Sequence, residues 1–93
     1  MAAVLNDAGF ALSGAVTAAT VPGILNTCLP AIQQGARVID FASATELDSA
    51  ALALILACQR EARRLNVTLR CANLPANLIS LATLYGVSEF IVQ

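Results

Sequence analysis

The sequence predicts an α/β sandwich, a mixed β-sheet of four to five strands with about three α-helices packed against it, forming one domain over residues 1–93. Three observations predict it. Segments with apolar residues at helical spacing alternate along the chain with short segments of strand character. Each helical segment is bounded by residues that start or stop helices. A chain of 93 residues is the length of one domain, and it suffices for a two-layer fold with a real core.

Phe10-Ala11-Leu12-Ser13-Gly14 alternates and ends at glycine, and Ala2 to Leu5 can pair with it across the turn Asn6-Asp7-Ala8-Gly9. From Thr20 onward, Val21, Ile24, Leu25, Cys28, Leu29 and Ile32 recur at helical spacing, with Thr20 as the cap, Pro22 in the first turn and Gly35 as the terminator. Pro30 has no amide to bond Asn26, so a kink or a break near Leu29 is expected. Arg37 to Ala42 reads as a compact interior strand. A helix from Asp48 to about Leu65 follows, and then a strand over Val67 to Ala72 with Val67, Leu69 and Cys71 on one face. Asn73-Leu74-Pro75 opens a third helix in which Leu78, Leu81, Ala82 and Tyr85 share a side, ended by Gly86. Phe90-Ile91-Val92 adds a final short strand. The helical crossovers favour parallel pairing in at least part of the sheet.

The stretch LDSAALALILACQREARRLN, residues 47 to 66, carries the functional question. At about 100° per residue, Ala51, Leu54, Ile55, Cys58, Ala62 and Leu65 form the stripe that faces the sheet. Leu52, Ala53 and Leu56 fall on the opposite side, and Arg60, Arg63 and Arg64 continue it. Small residues Ala50, Ala53 and Ala57 line the flank and admit another backbone. Two readings follow: the third helix or the loop before Asp48 covers the apolar patch, or a partner protein does. Asp48 or Ser49 caps the helix. A hydroxyl at an exposed helix start could also touch a partner or accept a phosphate, with Ser49 the one candidate.

Composition excludes more than it proves. Apolar residues make up 58% and charged residues 12%, more apolar surface than one small domain readily hides, which points to a protein partner. The longest apolar run, Ala50 through Cys58, is about half of a bilayer crossing, and the N-terminus has no secretory pattern, so a cytoplasmic chain without a membrane span is expected. A net charge of -1, with arginine as the only basic residue type and no tryptophan, argues against nucleic acid. Cys28, Cys58 and Cys71 lack metal-ligand spacing and read as free thiols. Without histidine, lysine or a glycine-rich phosphate loop, imidazole triads, Schiff bases and Walker-type sites are excluded, and the carboxylates form no acid–base pair. No catalytic residue, cofactor or metal is expected; the better class is a binding or regulatory module.

The order of elements, with VIDFASATELDSAALALIL at residues 38 to 56, resembles the STAS domain, named for sulfate transporters and anti-sigma factor antagonists. There a V-I-D-L/F strand leads to D-S/T-x-G-L at a helix start; this chain has Asp48, Ser49 and Leu52, with Ala51 where glycine is usual. Leu12-Ser13-Gly14, Asn66-Val67-Thr68-Leu69 and Leu81-Ala82-Thr83-Leu84-Tyr85 extend the likeness over nearly the whole chain. The resemblance implies a STAS-like (SpoIIAA-like) sandwich. Anti-sigma factor antagonists of the family look like D-S-S-G-L and are phosphorylated on the second hydroxyl residue, here Ala50. The subunit of bacterial phospholipid ABC transporters that maintain outer-membrane lipid asymmetry looks like D-T-G-G-L, with one hydroxyl residue after the aspartate, as Ser49 is. The latter likeness implies a non-catalytic subunit, peripheral to the inner membrane, that binds and stabilises the cytoplasmic ATPase through Asp48, Ser49, Ala50, Leu52, Ala53, Leu56 and Arg60. The alternative it leaves is an antagonist that binds an anti-sigma factor. A small-ligand sensor using a sheet-edge pocket has no specific residue behind it.

Overall fold

In the computed structural model, which describes residues 3–5 and 9–90, β1 (Ala3–Leu5) lies antiparallel against β2 (Gly9–Val16). Helix α1 (Val21–Gln33) carries the chain to β3 (Val38–Leu47), and α2 (Ala50–Arg64) carries it to β4 (Arg70–Ala72). Helix α3 (Ala76–Leu84) and a 3-10 turn at Ser88–Phe90 follow. The sheet order is β1-β2-β3-β4, and β2, β3 and β4 run parallel. Both crossovers step the same way across the sheet, and right-handed connections stepping the same way deliver their helices to one face. Burial agrees: Phe10, Leu12, Ile39 and Phe41 are buried, whereas Ala11, Ser13, Val38 and Asp40 between them are only half-buried. The buried side chains of sheet and helices form one apolar core.

The expectation of four to five strands is corrected in its details. The parallel part has three strands, and β1 pairs along the outer edge of β2. The expected last strand is not formed at its first residue, because Ser88–Phe90 is 3-10 helix packed against α3; Ile91 and Val92 lie outside the described residues, as does the turn at residues 6–8. Strand β4 begins at Arg70 rather than Val67. The Leu69 carbonyl just before it accepts a bond of 3.0 Å from the side chain of Gln59 on α2, which fastens that segment to the helix instead of to the ladder.

Strand β3 runs well past Ala42. Its register against β2 advances Asp40 to Ser43 while β2 advances Ala11 to Ser13, so β3 carries an extra residue there, and a second shift follows between Gly14 and Ala15. These are β-bulges. Asp40 closes the first one: its Oδ1 accepts the Ala42 amide and the Asn73 side-chain amide, both at 2.9 Å. The Asn73 bond, then the Ala42 amide, hold the Asp40 carboxyl below its ordinary pKa.

All three helices end alike. The amides of Ala36, Val67 and Val87 reach back to the carbonyls of Ala31, Ala62 and Ala82, each at 2.9 Å, across a left-handed residue at Gly35, Asn66 or Gly86. Each is a Schellman closure. Helix α1 is not split at Pro30; it continues to Gln33. Pro30 and Asn26, whose mutual bond proline forbids, both lie on the exposed side, where water can reach the Asn26 carbonyl. Cys28 and Cys58 are buried and Cys71 half-buried. Burial pushes the Cys28 thiol up to about 12 and Cys71 up to about 11. Burial, with the nearby Cys28 and Cys71 thiols, raises Cys58 further, so three cysteines distant in sequence lie near one another.

Candidate functional site

The parallel strands β2 and β3 end at Val16 and Leu47, and the loops leaving them meet at Asp48. Loops at the carboxyl edge of such a sheet are where α/β folds place their sites. Asp48 Oδ1 accepts the Ala50 amide at 2.8 Å, capping the first turn of α2, and Oδ2 accepts the Ala18 amide at 3.2 Å from the β2–α1 loop. Its own amide donates to the Val16 carbonyl at 3.4 Å. Asp48 is thus half-buried and engaged within the domain, and its carboxylate sets where α2 begins. Ser49 occupies the N-cap position without a side-chain capping bond and is exposed. The preceding aspartate supplies the cap in its place.

Ala50 is half-buried against the core, and Ala51 is fully buried. The placement of Leu52 on the outward side of α2 is corrected: it is 4% exposed. Its side chain projects about 100° from Ala51 but only about 60° from Ile55, on the flank of the core stripe rather than opposite it. Helix α3 packs against α2, and Leu52 lies beside Tyr85 and Val87, so for this residue the domain itself supplies the cover. Ala53 and Arg60 are exposed and Leu56 is half-buried.

Together these residues line a groove between α2 and the end of α3. One depression, about 360 Å³, is bordered by Ser49, Leu52, Ala53, Leu56, Tyr85 and Val87. A second of about 360 Å³ shares Leu56 and Val87 and adds Arg60 and Arg63. The groove therefore runs from a hydroxyl, over an apolar floor, to two guanidinium groups. Arg64 stands apart: it donates to Glu61 at 2.7 and 2.8 Å, and Gln33 on α1 donates to the same carboxylate at 2.7 Å. The Arg64 bond first, then Gln33, lowers Glu61 to about 2.

The spacing puts Tyr85 on one side of α3 with Leu81, which is half-buried, and with Leu78 and Ala82. Those two are buried, but the helix stops at Leu84 and Tyr85 is 58% exposed, as is Leu84 at 76%. Much of the chain's uncovered apolar surface lies here and not on Leu52. Val87 escaped the sequence reading, although an apolar residue directly after a helix-ending glycine is the signal for a Schellman contact, which brings it back against the last turns. Among the described residues no group of side chains could hold a metal ion, and no helix is long and apolar enough to cross a membrane.

Comparison with known proteins yields a family and a fold. The structure of the anti-sigma factor antagonist SpoIIAA in its unphosphorylated form is similar, with a TM-score of 0.72 at 18% identity, over 97% of this chain and 84% of that one. No curated protein matches. The family model described as "Mlab, STAS domain" matches residues 2–93, nearly the whole of the chain, and the chain belongs to that STAS family.

Proposed function

We propose that this chain is the non-catalytic STAS subunit of a Mla-type phospholipid ABC transporter, binding and stabilising the transporter's cytoplasmic ATPase at the inner membrane. The observation that carries this is the groove itself: an exposed Ser49 at the start of α2, continuous with Ala53, half-buried Leu56 and Arg60, and walled by Tyr85 and Val87. It is a concave apolar strip with a polar rim, the anatomy of a protein-docking surface. Position 50 supports this reading over the anti-sigma factor antagonist. Ala50 has no hydroxyl to phosphorylate and is packed against the core, so the switch found in antagonists of the family has no acceptor there.

Binding of the purified ATPase subunit to Ser49→Arg and Leu56→Glu variants tests the reading. Leu56 is the informative leucine because Leu52 is part of the core. Covering the exposed remainder of Leu56 contributes on the order of 1 kcal/mol, and placing a carboxylate there adds a desolvation cost, so a loss of about tenfold or more is expected. Folded variants that both bind as tightly as the wild type would reject the surface.

A further inference from the structure

The sheet has a second face that no described helix covers. Helices α1 and α2 lie together on the side of Phe10, Leu12, Ile39 and Phe41, and α3 packs against α2. The other side is formed by Ala11 of β2, by Val38, Asp40 and Ala42 of β3, and by Arg70 and Ala72 of β4, all of them half-buried or exposed. Short apolar side chains make this face flat, and its two charges are of opposite sign. Glu46, further along β3, lies beyond both bulges. Val38 pairs with Arg70 and Asp40 with Ala72, so Asp40 and Arg70 sit on a diagonal of neighbouring strands, roughly 8 Å apart by strand geometry. They do not bond each other. Asp40 Oδ1 accepts from Ala42 and Asn73, and among the described residues its Oδ2 and the exposed Arg70 guanidinium have no partner.

A carboxylate and a guanidinium side by side on a flat face are complementary to the same face turned over. A two-fold axis lying between two such sheets and passing midway between Asp40 and Arg70 brings each charge over its opposite, so a second copy is matched by construction. We propose that this sheet face pairs with the same face of a second copy, in an isologous dimer in which Asp40 of each chain meets Arg70 of the other across the alanines. Because the charges lie on a diagonal, the strands of the two copies cross steeply, as in orthogonal sheet packing. The α2 groove lies on the helical side and stays open in the dimer.

Sedimentation equilibrium of the whole chain, from low micromolar to millimolar, tests this. The patch is small, so a weak dimer with a Kd of about 10–100 μM is expected, weakening as salt rises. Each substitution acts twice in a two-fold interface, so Arg70→Glu is expected to weaken association about tenfold or more, while Arg70→Lys and Arg60→Glu stay within about threefold. Asp40→Lys is also expected to stay monomeric alone, yet an equal mixture of Arg70→Glu and Asp40→Lys should dimerise, because each now carries the charge that the other lacks. Circular dichroism checks that Asp40→Lys folds without its bond to the bulge; if it does not, the contrast between Arg70→Glu and Arg70→Lys decides. A wild type monomeric at millimolar concentration, an Arg70→Glu chain that associates like the wild type, an equal loss in Arg60→Glu, or a mixture of folded variants that stays monomeric overturns the proposal. None of these results touches the docking reading, since ATPase binding by Arg70→Glu is expected to match the wild type.

Discussion

The Gln59 side chain ties α2 to the segment that leads into β4, and Gln59→Met isolates that bond. The side chain is 9% exposed and donates to the Leu69 carbonyl at 3.0 Å, and Leu69 itself is 1% exposed. Methionine keeps the length and the apolar stem but has no donor. The Leu69 carbonyl, cut off from water, then loses its partner, which costs about 1–3 kcal/mol. Gln59→Ala removes packing as well, at about 0.8 kcal/mol per methylene, for a total of about 2–4 kcal/mol. In a domain of this size each kcal/mol lowers Tm by roughly 4–8 °C. Urea denaturation followed by circular dichroism measures both variants, and an unchanged slope would confirm that stability and not the unfolded state has moved. The outward stripe of α2 is untouched, so ATPase binding by folded protein should remain. A Gln59→Met protein within about 0.5 kcal/mol of the wild type would refute the idea that this bond anchors β4 to α2.

Asp48→Ala removes the cap on Ala50 and the tie to Ala18 together and is expected to cost about 1–2 kcal/mol by denaturant midpoint, with Asp48→Asn, which keeps an acceptor for Ala50, losing less. Glu61 is held at about 2 in the folded chain, below its ordinary 4.5, chiefly by Arg64. Its contribution to stability is therefore present above about pH 4.5 and is lost as pH falls toward 2. A carboxyl titration by NMR should show the low midpoint, and Arg64→Ala should raise it; an ordinary midpoint in the wild type would contradict the paired geometry.

The sequence carried the order of elements because helix periodicity and helix stops are local. Gly35 and Gly86 end their helices as read, and of the core stripe Ala51, Leu54, Ile55, Cys58 and Ala62 are buried, while Leu65, at the helix C-cap, is half-buried. What escaped depends on neighbours. The second half of β3 reads as loop in the sequence because Ala42, Ser43, Thr45 and Glu46 are exposed and two bulges break its alternation, so no apolar pattern marks the strand. Gln59 gives no sign of its role in sequence, since nothing in its own segment says that the Leu69 carbonyl waits beside it. Leu52 was misplaced because a helix stripe has flanks, and whether a flank is wet depends on where α3 docks. Ser49, Ala53, Leu56 and Arg60 were legible as one surface because that geometry follows from helical spacing alone, whereas Tyr85 and Val87 enter through a turn after α3.

Asp48 makes two surface loops mechanically one. Its carboxylate holds the Ala18 amide with one oxygen and the Ala50 amide with the other, so the crossover leaving β2 sets the tilt at which α2 starts. Ala18 and Ala19 are exposed and look like places where the chain could be lengthened at no cost. A single residue inserted there would shift the anchor under Ser49 and swing the serine hydroxyl relative to Tyr85, leaving the core whole and the docking end misaligned.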